Sequence, residues 1–260
     1  MTQRSRVLLG LLFAAATGSG IVLAQFPGGG RRGGGRNSEA LPNTAYDGRF
    51  TFVRIRYNAV GGRGRGGFGD PMWNHDYPRA EYHFNKILAE VSYTPTYLEG
   101  GNVLTLDDPE LFNYPIAYLT EPGFWSVNQA EADGLRRWLL QGGFLIVDDF
   151  AGEHWYNFED QLRIVLPEAR VVPLDVTHPI FDSFFRIESL DFTHPYYGVQ
   201  SHFLGVFEDN DPTKRLMMIV NYNNDIAEYW EWSDQSFAPI ELTNEAYKLG
   251  VNYIIYAMTH

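Results

Sequence analysis

The stretch Leu135-Arg-Arg-Trp-Leu-Leu-Gln-Gly-Gly-Phe-Leu-Ile-Val-Asp-Asp-Phe150 decides the fold, because it reads as a helix end, a glycine stop and a buried strand. Ser126 and Gln129 match a capping box, Leu135, Trp138 and Leu139 share one helical face, and Gly142-Gly143 supplies the left-handed stop. Phe144 to Val147 is then an unbroken apolar run, the signature of a strand buried on both faces of a parallel sheet. Asp148 and Asp149 stand at its carboxyl end, the edge at which open α/β sheets bind their ligands.

Working outward, strand and helix signals alternate. Phe50 to Tyr57 alternates with β-forming residues, and Asp76 and Pro78 start a helix carrying Ala80, Phe84, Ile87, Leu88 and Val91 at the 3.6 period. Tyr93 to Leu98 reads as a short strand, Asp108-Pro109 as a helical turn, and Ile116 to Thr120 as a strand. Asn157 to Leu166 is an amphipathic helix stopped by Pro167, and Val171 to Leu174 a buried strand. Residues 176 to 203, with Thr-His-Pro at Thr177 to Pro179 and again at Thr193 to Pro195, read as an irregular excursion. Leu216 to Val220 is a late strand entering Asn221-Tyr-Asn-Asn-Asp225, and Thr243 is expected to cap a last helix over 244–258. The pattern predicts one α/β domain with a doubly wound, mostly parallel sheet.

The N-terminus is separate. Arg4 and Arg6, an apolar run from Val7 to Ala16 and Val22-Leu23-Ala24 make residues 1–24 a candidate signal peptide, with an uncleaved membrane anchor as the alternative. Residues 25–44, rich in glycine and arginine, read as a flexible tether, which leaves residues 45–260 for the domain. The expectation is an exported chain, periplasmic or secreted, touching membrane only through the N-terminal segment if that is retained.

The 260 residues contain no cysteine, which excludes disulfides, thiolate metal ligands and a thiol nucleophile. From Glu39 onward 15 basic residues face 32 acidic ones, a net charge of −17 that repels nucleic acid and anionic lipid. Gly64, Gly66 and Gly69 spell a G-x-G-x-x-G, but Asp70-Pro71 follows where a dinucleotide loop needs a helix. No G-x-S-x-G elbow is present.

Two strand ends carry polar clusters, Asp148-Asp149 with Glu153-His154, and Asn221 to Asp225. If both strands are parallel members of one sheet, these groups meet at its carboxyl edge, with Trp73, His75 and Asp76 on the same side. Asp76, Asp148, Asp149, Glu153, His154, Asn223, Asp225 and Trp230 are therefore the candidate ligand-binding residues, and Asp148, Asp149 and His154 the candidates for catalysis. Capping of helix N-termini is the competing role for the two aspartates. His75, His154, His178, His194, His202 and His260 stand singly without metal-ligand spacing, so no metal and no cofactor is assigned. Tyr229-Trp-Glu-Trp232 reads as a strand whose tryptophans either stack on a sugar ring or pack a sheet edge.

Several strings taken together resemble a known family. They are Gly142-Gly143-Phe144 through Phe150, Trp73 with Asp76-Tyr77-Pro78, His178-Pro-Ile-Phe181, Arg215-Leu-Met217 through Asp225, and Ala246-Tyr247 through Gly250-Val-Asn-Tyr253 to Tyr256-Ala-Met-Thr-His260. Over about residues 48 to 260 the chain is similar to the bacterial domain of unknown function numbered 4159. That resemblance implies a flavodoxin-like fold akin to the class I glutamine amidotransferases, in envelope proteins, without an established reaction. Amidotransferases carry a cysteine at the strand-to-helix elbow where this chain has Asp148-Asp149, so glutaminase chemistry is not expected. Two functions stay open: an exported envelope module binding a small polar ligand or a partner protein, and a cysteine-free hydrolase using Asp148 or Asp149 as general base or divalent-metal ligand.

Overall fold

The computed structural model describes residues 40–60 and 71–260; the candidate signal peptide, most of the tether and the Gly64, Gly66, Gly69 loop lie outside the described residues. In chain order the elements are β1 (Phe50–Ile55), β2 (Asn58–Ala59), α1 (Arg79–Ser92), β3 (Thr96–Leu104), β4 (Ile116–Thr120), β5 (Trp125–Ser126), α2 (Gln129–Leu140), β6 (Phe144–Phe150), α3 (His154–Val165), β7 (Val171–Pro173), β8 (His202–Phe207), β9 (Leu216–Tyr222), α4 (Ile226–Glu231) and α5 (Ile240–Thr259). A seven-stranded sheet in the order β3-β1-β4-β6-β9-β8-β7 forms the centre, and β2 pairs with β5 beside it. β3, β1, β4, β6 and β9 are parallel, whereas β8 runs antiparallel to both β9 and β7.

The strands in the middle are apolar throughout because both faces are covered. Ile116, Tyr118, Phe144 and Ile146 pack on one side with Ala80, Phe84 and Leu88 of α1 and Leu249, Tyr253 and Ile254 of α5. Ala117, Leu119, Leu145 and Val147 pack on the other with Leu135, Trp138 and Leu139 of α2 and Phe158, Leu162 and Val165 of α3. The two-residue period of a strand sends alternate side chains into these two cores.

The structure relocates several expected features. The capping box is formed by Asn128 and Glu131, each side chain bonding the other's backbone N–H, because Ser126 is already engaged in β5 opposite Asn58. Gly142 takes the expected left-handed turn, with φ of 112°. β3 extends well beyond Leu98, its pairing with β1 jumping from Phe50↔Thr96 to Phe52↔Gly101 around a bulge. β7 is an only half-buried outer strand. β8 emerges from the end of the segment read as irregular. Tyr229-Trp230-Glu231 is helical, and α5 starts at Ile240, before Thr243, with Pro239 at its cap position. The domain also begins earlier than residue 45: the Asn43 side chain bonds both the N–H and C=O of Val103, and Thr44 is held by the Asn102 amide. These contacts cover part of the otherwise open edge of β3.

Gly134 lets α2 lie directly on the chain after β3. A Cβ there would meet the Leu106 carbonyl oxygen at 2.1 Å. Gly134→Ala should therefore lower stability by about 1–3 kcal/mol in urea unfolding, despite alanine's better helix propensity. An unchanged or raised midpoint would show that the contact relaxes freely.

Candidate functional site

The chain leaves β1 for β3 on one side and returns to β4 on the other, so the connections diverge at the carboxyl ends of adjacent strands β1 and β4. Such a switch point opens a crevice. Four segments converge here: the turn before α1 with His75 and Asp76, the end of β4 with Thr120 and Glu121, the end of β6 with Asp148 and Asp149, and the passage from β9 into α4 with Asp225, Glu228 and Glu231.

The first of these segments is fixed from below by a buried arginine. Arg54 of β1, 1% exposed, bonds Glu81 of α1 through Nε and donates Nη1 to the carbonyls of Trp73 (3.2 Å) and His75 (2.8 Å). Its guanidinium also lies 5.2 Å from the Tyr118 ring centroid. The backbone that carries His75 and Asp76 is thus bolted to the sheet.

Backbone strain concentrates at the same edge. Asp76 (φ 64°), Glu121 (47°), Asp149 (61°) and Asn223 (56°) all occupy the left-handed region. Such conformations cost about 1 kcal/mol or more each and cluster where function demands an unusual side-chain direction. In Asp149 the turn interrupts the β6–β9 register between Val147 and Phe150.

The two neighbouring aspartates consequently have different surroundings. Asp148, fully buried, accepts Tyr118 Oη–H at 2.7 Å and the backbone N–H groups of Ile226 (2.9 Å) and Ala227 (3.3 Å) at the start of α4. Burial pushes its pKa up to about 6, aided by the Asp149 charge and opposed by Tyr118, Asn221 and the Ile226 N–H. Asp149 accepts from His75 Nδ1 at 2.7 Å and from Thr120 Oγ1 at 3.2 Å. Its burial favours the acid, yet the charge and hydrogen bond of His75, with His194 and Thr120, hold its pKa below the ordinary value.

His75 is the counterpart. Burial alone would lower its pKa, but the charges of Asp76, Asp149 and Glu121 lift it to about 11, so it is an imidazolium at neutral pH. Asp225 caps α4 through the Glu228 N–H at 3.0 Å, and both Asp225 and Asp76 are pushed well above the usual carboxylate range by burial, with the charges of Asp149 and Glu228 adding to it. Glu228, buried, accepts the Tyr196 hydroxyl, and Tyr196 N–H bonds His194 Nδ1, so the segment before β8 reaches over the edge.

Two overlapping groups have ligand atoms within 4.8 Å of one another, His75-Asp76-Asp149 and Asp76-Glu228-Glu231. The second set, of carboxylate oxygens alone, suits a hard divalent cation, whereas in the first the His75 imidazolium is the counter-charge of Asp149.

Asp76, Asp148, Asp149 and Asp225 thus lie at one edge. The remaining candidates lie around it or elsewhere. His154 faces Glu121 at 4.0 Å and meets the Phe124 ring edge-on, while Glu153 is exposed. Asn223 ties two loops, accepting from Gly152 N–H and donating to Gln200 O. Trp230 is a correction: on α4, not a strand, it is 1% exposed with its ring centroid 4.5 Å from that of Phe84, a core residue instead of a ligand platform. Sequence reasoning missed Arg54, Tyr118, Thr120, Glu121, His194, Glu228 and Glu231. The available signal was Arg54, a charge in an inward position of an apolar strand.

The Asp148 environment gives a pH test. Its pKa is raised on folding, so the stability it contributes is full below about pH 4 and is lost as pH rises through about 6. Asp148→Asn cannot titrate, and its stability relative to the parent should grow by roughly 2–3 kcal/mol between pH 4 and 7. Denaturant melts across that range check it; a pH-independent difference would contradict the assignment.

No curated protein sequence matches the chain significantly. The model of a domain of unknown function, DUF4159, matches residues 51–258, from the first strand of the sheet to the end of α5. The chain belongs to that family.

Proposed function

We propose that this chain is an exported, tethered binding module of the cell envelope, periplasmic or secreted, whose carboxyl-edge site takes a positively charged group of a small polar ligand or of a partner protein. Carboxyl groups outnumber imidazoles at this edge, and that imbalance carries the reading. Buried charge without a counter-charge is expensive, and a bound cation relieves it. The arrangement of strands is compatible with a flavodoxin-like fold of the kind found in class I glutamine amidotransferases, with Asp149 as the left-handed residue at the elbow. With no cysteine in the chain, we assign it no amidotransferase activity.

The alternative, a cysteine-free hydrolase, has less support. A general base needs proton affinity near the working pH and contact with the attacking water. Asp148 has the affinity but is fully buried and tied to α4, while Asp149 has the lowered affinity of an ion-paired acid. His154 is directed to Glu121 and Phe124. Among the described residues no helix is long and apolar enough to cross a membrane.

Titration calorimetry of the full chain with spermidine, arginine amide and glucose tests the reading. Saturable, salt-sensitive binding of the cationic probes is expected, weakened about tenfold or more by Asp149→Asn; because this variant also breaks the buried ion pair with His75 it should melt below the parent, and binding is compared at a temperature where both are folded. Turnover of nitrophenyl ester, phosphate or glycoside probes that Asp149→Asn abolishes would install the hydrolase instead. Mass spectrometry of protein from the native host should find a mature terminus at Gln25; an intact Met1 in the membrane fraction would make the segment an anchor.

A further inference from the structure

Among the described residues, Asp76 is the one with both carboxyl oxygens buried and unbonded. Its side chain is 1% exposed, and neither oxygen has a hydrogen-bond partner. Buried carboxylates are ordinarily bonded two or three times over, because desolvation is otherwise uncompensated. The nearest imidazole does not serve it, since His75 Nδ1 is 2.7 Å from Asp149 but 3.6 Å from Asp76 Oδ1. Arg54, just beneath, is committed to Glu81 and to the carbonyls of Trp73 and His75, and Arg79 at the start of α1 pairs with Asp234.

What Asp76 does face is a second pair of carboxylates. Glu228 and Glu231, three residues apart on α4, present oxygens within 4.8 Å of an Asp76 oxygen and of each other. Ligands of a divalent cation lie about 2.0–2.6 Å from the metal, hence at most about 5 Å apart, so the three need little movement to share one ion. Glu228 is buried and steadied by the Tyr196 hydroxyl, whereas Glu231 is half-buried and gives the ion a way in. Asp76 also neighbours the His75-Asp149 pair, in which the imidazolium is already the counter-charge of Asp149.

We propose that Asp76, Glu228 and Glu231 form a binding site for one hard divalent cation, with Asp76 as the central ligand and the His75-Asp149 pair flanking it. This deepens the preceding reading and rests on it, because the cation is then the positive group the carboxyl edge receives. Three carboxylate oxygens favour Mg²⁺, Ca²⁺ or Mn²⁺ over ions that select thiolate or imidazole.

The test uses the full chain, freed of metal by chelation, with Mn²⁺ as the probe and free Mn²⁺ read by electron paramagnetic resonance at pH 7. One saturable class of site is expected, with Mg²⁺ and Ca²⁺ competing. Asp76→Asn should weaken it at least about tenfold; asparagine tolerates the left-handed backbone at this position, so the variant keeps its fold. Glu231→Gln, at a half-buried position, should weaken it several-fold, and Glu159→Gln on the outer side of α3 should not change it. Mn²⁺ binding that is absent from the parent, or equal in parent, Asp76→Asn and Glu231→Gln, overturns the proposal. If Mg²⁺ and Ca²⁺ also fail while spermidine still binds in an Asp149-dependent way, the metal site falls and the binding module stands. If none of them binds, both fall.

Discussion

The geometry of the carboxyl edge depends on the buried pair of Arg54 and Glu81. Burying an ion pair rarely adds net stability, because removing both charges from water costs about as much as their attraction returns. What the pair supplies is position. Arg54 sits on β1, Glu81 on α1, and the second arm of the guanidinium holds the Trp73 and His75 carbonyls of the turn between them. With that turn fixed, the His75 ring is held on Asp149 and the Asp76 carboxylate on α4. A lysine would keep the charge and lose this fork of donors.

Strain and charge at the edge share a cause. An L-residue in the left-handed region turns its side chain away from the direction the strand would give it. At Asp149 that turn lets two consecutive residues of β6 serve different partners, Asp148 reaching α4 and Asp149 reaching His75 across the crevice. A regular strand would have sent them to opposite faces of the sheet. The energetic cost falls on the domain's stability, and the large two-sided core is what tolerates it.

How much of this was legible in the sequence follows from how local each signal is. β6 and α1 declare themselves through unbroken apolar runs and the 3.6 period, so the sheet's centre and the positions of Asp148, Asp149 and Asp76 could be read. β8 could not, since Gly205 interrupts its pattern; a Cβ there would strike the Leu216 side chain at 2.6 Å, a packing demand visible only in three dimensions. Trp230 and Trp232 have a spacing that fits a strand, and a six-residue helix is too short to show a competing period. Ser126 and Asn128 both offer a capping oxygen, and the pairing of β5 with a distant residue pair chose between them. Glu228 and Glu231 look like the solvent face of a short helix until Asp76, some 150 residues earlier, is folded against them.

The reversed strand explains why the segment from Asp191 to Ser201 belongs to the site at all. In a purely parallel sheet the chain entering a strand lies at the amino edge, remote from ligands. β8 runs against β9, so its first residue pairs with the last of β9, His202 opposite Tyr222. The entering chain is therefore delivered to the carboxyl edge, where Ser201 Oγ bonds Asn223 O and Thr193 bridges to Gln200. That hairpin turn brings His194 and Tyr196 over the carboxylates, the first helping to hold the Asp149 pKa down and the second bonding Glu228. A single change of strand direction thus roofs the crevice with aromatic and imidazole groups that no parallel crossover would have supplied.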